Sequence, residues 1–220
     1  MRTTRDSGAV LTQVEARVLG CLIEKQLTTP DVYPLTLKAL VTACNQTSNR
    51  DPVMELDGHQ VETTALVLKS KGLLRVVHPG SGERSTRYRQ VADDALRLEP
   101  DERAVLCALL LRGAQTVSEL RSRTERMHAF DGTRLEHALD RLARRDEPLT
   151  QVLEVRPGQR EPRWIDLLQD EPYLPEPASG GTGLAVGPAD QARTERLADL
   201  EARVATLEQQ VARLLDALGD

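Results

Sequence analysis

Arginine recurs at helical spacing over residues 134–145 in a pattern suited to holding a polyanion. At 100° per residue, Arg134, His137, Arg141, Arg144 and Arg145 fall on one outward stripe, apart from Glu136 and Asp140. Leu135, Ala138, Leu139 and Leu142 face the other way, toward a core. Guanidinium groups so placed can grip phosphates and read guanine edges. An upstream counterpart puts Gln60, Thr63, Val67, Ser70 and Lys71 on one face, where Gln60 and Thr63 could reach base edges and Lys71 a phosphate. Leu66 and Val67 also point outward there, which fits a protein contact better than a nucleic-acid one. Arg84, Arg87 and Arg89 follow the glycines of a turn. Alternate residues of an extended segment share a face, so Arg87 and Arg89 can point together, into a minor groove or onto phosphates. For the basic stripes the competing reading is a solvated face, because Arg outnumbers Lys by 25 to 4, the bias of GC-rich coding.

Chemistry of other kinds has little support. GxxxxGK, HExxH and GxSxG motifs are missing, and GSGER at 80–84 lacks the third glycine of a dinucleotide loop and sits in a turn. His59 and His137 lie in helical segments, His78 in a hairpin and His128 in a loop, none at metal-ligand spacing from a Cys or carboxylate. Cys21, Cys44 and Cys107 form no CxxC pair, and Cys21 and Cys107 sit inside apolar runs where Cys acts as a small hydrophobe. The expectation is a non-enzymatic protein with no cofactor and no metal. Only five aromatics (Tyr33, Tyr88, Phe130, Trp164, Tyr173) argue against a platform that stacks single-stranded bases.

The elements that must carry these residues occur twice. EARVLGCLIEK (15–25) and ERAVLCALLLR (102–112) read as apolar first helices. Each precedes a second helix, a third helix (about His59–Lys71 and Thr133–Arg145) and a hairpin near a Pro-Gly pair. Asp57-Gly58 matches Asp131-Gly132, and Tyr88 matches Trp164 on the outgoing strands, both read as core residues. Three helices followed by a two-stranded hairpin is the winged-helix pattern, used mostly on duplex DNA. The expected fold class is mainly α with small β-hairpins (α+β): domain 1 over 12–91 and domain 2 over 98–170, each with its own small core. One departure from symmetry is the connection Asn45–Asp57, much longer than its counterpart at His128–Asp131. It is read equally as a functional loop or as one tucked onto the core through Val53, Met54 and Leu56.

Residues 1–11 read as a disordered lead without the apolar segment of a signal peptide, and no apolar run is long enough to span a bilayer. Residues 171–190 are a Pro/Gly-rich linker, and 191–220 form a heptad helix. Leu197, Val204, Val211 and Leu218 take its a positions and Leu200, Leu207 and Leu214 its d positions, a pattern for a parallel homodimer. The net charge of −5 divides unevenly: residues 12–90 carry +2, while 91–172 and 173–220 carry −4 each.

TTPDVYPLTL (28–37), ACNQTSNRDPVM (43–54) and LLLRGAQTVSELRSRTERM (109–127) resemble the signatures of the YceH family of bacterial tandem winged-helix proteins, over about residues 11–170 and again in the terminal LLDALGD. The resemblance implies that fold and a bacterial cytoplasmic setting. It supplies no activity, cofactor or ligand, although Cys44, Asn45, Asn49 and Arg50 match its pattern. The expected function is double-stranded-DNA binding by a dimeric regulator or nucleoid-associated protein. The alternative is a protein scaffold or adaptor oligomerised by its coil.

Overall fold

A computed structural model describes residues 10–79, 85–155, 159–170 and Leu174. Helix α1 (Gln13–Thr28) opens at a capping box: the Thr12 hydroxyl accepts from the Glu15 N–H at 3.2 Å, and the Glu15 carboxylate accepts from the Thr12 N–H at 2.7 Å. A short 3-10 turn at Pro30–Val32 leads to strand β1 (Leu35–Thr36) and then helix α2 (Leu37–Cys44), whose Ala39 N–H is capped by the Thr36 hydroxyl. Helix α3 (Gly58–Ser70) starts one residue before the expected His59, because the carboxylate of the N-cap Asp57 accepts from the Gln60 N–H. Strands β2 (Leu74–Val77) and β3 (Arg87–Gln90) form the hairpin, and β1 joins the far edge of β3 to give the order β1-β3-β2.

Helix α4 (Ala92–Leu96) then links to the second copy, an element the sequence pattern did not disclose. The copy consists of α5 (Pro100–Arg112), α6 (Val117–Thr124), α7 (Arg134–Ala143), β4 (Thr150–Leu153) and β5 (Arg163–Asp166). Here a single bridge between Gln115 and Trp164 stands where β1 stands in the first copy. The chain is thus α+β, with seven α-helices and two small antiparallel sheets among the described residues.

The two expected cores are one. Every residue from Glu15 to Ile23 of α1 is buried, and α5 is buried over most of its length. A helix with no solvent stripe must be covered on all sides, and α1 and α5 cover each other. They meet tightly at Gly20, where a Cβ would lie 2.9 Å from the Leu111 side chain. The Cys107 thiol donates to the Gly20 carbonyl at 3.3 Å. Buried residues of both copies therefore join in a single cluster running from Leu11 to Leu168.

The assigned disordered lead also ends early. Leu11 is fully buried, its N–H donates to the Leu168 carbonyl at 2.6 Å, and its carbonyl accepts from the Asp170 N–H at 3.2 Å. An apolar side chain that closes the core cannot remain in a free lead. Arg84, the 171–190 linker other than Leu174, and the heptad residues Leu197, Leu200, Val204, Leu207, Val211, Leu214 and Leu218 lie outside the described residues.

Gly20→Ala separates two effects of opposite sign. Alanine adds roughly 0.5–1 kcal/mol of helix propensity, but forcing a methyl group into Leu111 costs roughly 1–3 kcal/mol of overpacking. The variant is expected to be less stable than wild type in urea denaturation, with a single transition because both copies share the packing surface.

Candidate nucleic-acid interface

Several of the basic residues picked out for outward chemistry do internal work, and the same work in both copies. Glu15 and Glu102 each sit in the first turn of a first helix, and each carboxylate accepts from its N-cap N–H while almost fully buried. A buried carboxylate requires a cation. Lys71, just past α3, donates to Glu15 at 2.8 Å and to the Val10 carbonyl at 2.7 Å. Arg145, just past α7, donates to Glu102 at 2.5 Å and to the Leu96 and Arg97 carbonyls. The hairpins repeat a second contact: Arg87 donates to the Pro34 carbonyl at 3.0 Å, and Arg163 donates to the Ala114 carbonyl at 2.8 Å. Gln60 is also engaged, its side-chain oxygen accepting from the Asp57 N–H at 2.9 Å.

The stripe on α7 differs from the helical projection. Asp140 belongs to it, because residues four apart meet on a helix surface, and Arg144 pairs with Asp140 at 3.3 Å. Arg141 reaches across to Asp101 at 2.7 Å and Glu102 at 3.1 Å. Burial would raise the Asp101 carboxyl, but the Arg141 hydrogen bond prevails and holds it below its ordinary value. His137, Asp140, Arg141, Arg144 and Arg145 line an open depression of about 560 Å³. The three guanidinium groups there are answered by the carboxylates of Asp101, Glu102 and Asp140, so the depression is close to neutral. A projection of one helix could not show Asp101 and Glu102, which arrive from α5.

Candidates that face outward without an ion pair are Thr63, Leu66 and Val67 on α3, Arg134 and His137 on α7, and Arg89 on β3, while Arg141 and Arg144 are exposed but paired. Leu66 and Val67 are 54% and 38% exposed. To these the hairpin adds Arg75, which the sequence reading passed over. It is exposed, and its partner across β2 and β3 is Arg89. The signal was the alternation around it, since buried Leu74 and half-buried Val76 imply an outward residue between them. Tyr88 and Trp164 do occupy matching places and pack on the core.

The Asn45–Asp57 loop is a brace. Arg50, 4% exposed, places all five of its N–H donors: on the Ala43 and Asn49 carbonyls, the Gln46 side chain, and both oxygens of Glu24 at 3.0 and 2.6 Å. Arg17 donates to the Cys44 and Pro52 carbonyls from within α1. The Asn45 amide pairs with the backbone N–H and carbonyl of Leu56, both at 2.8 Å. From the loop's far side, the Asp51 N–H donates to the Leu111 carbonyl at 3.0 Å, and Asn49, at a φ of 56°, accepts from Arg112 at 3.0 Å. Leu56 tucks against the core, whereas Val53 stays exposed. Cys21 and Cys44 are buried beside this network, with the Cys21 thiol donating to the Ala43 carbonyl at 3.2 Å. Among the described residues, no group of three or more His, Cys, Asp or Glu could hold a metal ion, and no helix is long and apolar enough to cross a membrane.

An α+β chain built of two fused copies, with many of its basic residues held by carboxylates and carbonyls of the fold, is the class of protein so defined. The family model described as "Protein of unknown function, DUF480" matches residues 11–159, and the chain belongs to that family. A UPF0502 protein of Geobacter sulfurreducens is 48% identical over 201 residues, covering 90% of each chain. A UPF0502 protein of Koribacter versatilis is 45% identical over 199 residues, again 90% of each. One from Pseudomonas syringae pv. tomato is 44% identical over 219 residues, 96% of each.

Burial alone would raise the Glu24 carboxyl, but Arg50, with help from Lys25, holds it down to about 2. A folded-state value depressed from 4.5 contributes stability that is fully present above the unfolded value and is lost as pH falls toward about 2. Glu24→Gln should therefore be less stable than wild type near neutral pH and lose less on acidification through that window. Urea denaturation at several pH values reads both effects.

Proposed function

We propose that this protein binds double-stranded DNA as a tandem winged-helix regulator or nucleoid-associated protein. The observation that carries the reading is the arrangement of the first copy, three helices and a hairpin in which both the third helix and the hairpin keep an exposed face. The +2 charge of residues 12–90 favours contact through that copy. The heptads of residues 191–220 support a parallel homodimer, and doubling the modules would multiply weak affinities through tethering. The resemblance to the YceH family supports the winged-helix assignment and a cytoplasmic setting.

Exposed Leu66 and Val67 on α3 favour a second reading, a scaffold whose third helix binds protein. Fluorescence anisotropy of the full chain with a random-sequence duplex of about 30 base pairs separates the two. Duplex binding that weakens by orders of magnitude between about 50 and 200 mM salt is the expected result. Leu66→Glu, which sets a carboxylate on the exposed face of α3, should then weaken duplex binding. An absence of duplex binding at low salt, together with partner capture abolished by Leu66→Glu, would replace DNA binding with the scaffold reading.

A further inference from the structure

We propose that Arg75 and Arg89 form a phosphate clamp on the hairpin of the first copy, and that the second copy makes no equivalent contact. The inference rests on the duplex-binding reading and assigns the contact to one face of one hairpin. Arg75 on β2 and Arg89 on β3 are direct cross-strand partners, and both are exposed. The opposite face of the same strands carries buried Leu74, Tyr88 and Gln90, which fixes the register and leaves both arginines no inward alternative. Among the described residues, no carboxylate pairs with either guanidinium.

Directly opposed like charges destabilise a strand pair. Apart from Arg134, the other described arginines singled out in this chain are satisfied by a carboxylate or a carbonyl, so among the described residues this directly opposed pair stands apart. Side chains directly across a ladder start only about 5 Å apart, so two guanidinium groups converge on one anion and form charge-assisted hydrogen bonds to its oxygens. A phosphodiester supplies that anion repeatedly along a duplex. Arg87 shares the face but is tied to the Pro34 carbonyl, so it adds field rather than grip.

The second copy shows the contrast at the same register. Gln151 and Ile165 stand where Arg75 and Arg89 stand, as the pairings Leu74–Gln90 and Thr150–Asp166 align the two hairpins. Arg163 is held by Glu119 as well as by the Ala114 carbonyl. Its third helix is neutralised by Asp101, Glu102 and Asp140. The second copy thus supports the first through the shared core and contributes little to the duplex contact.

The test compares the full chain with Arg75→Gln/Arg89→Gln and with Arg134→Gln/Arg144→Gln, which removes the same charge from the second copy. Each is titrated with a random-sequence duplex across a salt series. The hairpin variant should bind roughly tenfold or more weakly at low salt, and its slope of log affinity against log salt should flatten by about 0.9, the value for the one phosphate the clamp neutralises. The second-copy variant should keep the wild-type slope. Thermal melting adds a readout that a structural role would reverse: without the like-charge pair, the hairpin variant should melt at or above the wild-type temperature. Wild-type binding with equal losses in both variants, or none in the hairpin variant, overturns the clamp while leaving DNA binding intact. No wild-type binding at low salt overturns the DNA reading itself.

Discussion

Gly20 permits α1 and α5 to approach until the Leu111 side chain lies where a Cβ would otherwise stand. From that contact follows the burial of both helices on all sides, and with it the merging of two repeats into one core. A small module of this size buries little surface by itself. Fusing two at their most apolar helices gives each the other's core as its missing wall. The brace over residues 45–57 reinforces the same seam, since it reaches the C-terminal end of α5 through Asp51 and Asn49.

Fusion also explains how the chain uses its arginines. Capping carboxylates on α1 and α5 become buried once those helices pack on neighbours, and a buried carboxylate without a cation would cost several kcal/mol. Lys71 and Arg145 answer that need at matching places. Arg50 answers it for Glu24 with every donor placed. Breaking such a pair by removing one partner typically costs about 3–5 kcal/mol, so these positions are constrained by packing before any ligand is considered.

Local pattern in the sequence was enough to place most helices, both hairpins and the match of Tyr88 with Trp164, because capping boxes and apolar periodicity are short-range signals. It also placed Cys21 and Cys107 in the core correctly. Long-range consequences were hidden. The seam at Gly20 depends on a residue about ninety positions away, and glycine inside an apolar run gives no local hint of a partner. Arg141 and Arg145 looked free because Asp101 and Glu102 lie on another helix. Arg75 was missed for the opposite reason: its importance comes from facing Arg89, which only strand register reveals.

The seam has a consequence for biosynthesis. The first copy emerges from the ribosome before the wall that covers α1, which is α5, residues 100–112. Two of the hydrogen bonds that seat the brace wait on Leu111 and Arg112. Leu11 cannot complete its pairing until residues 168–170 arrive. A nascent chain halted between the copies would present a long apolar helix face to the solvent. Ribosome pausing near the junction at α4 would therefore create a chaperone client, and a protein cut between its repeats would yield two sticky halves in place of two working modules.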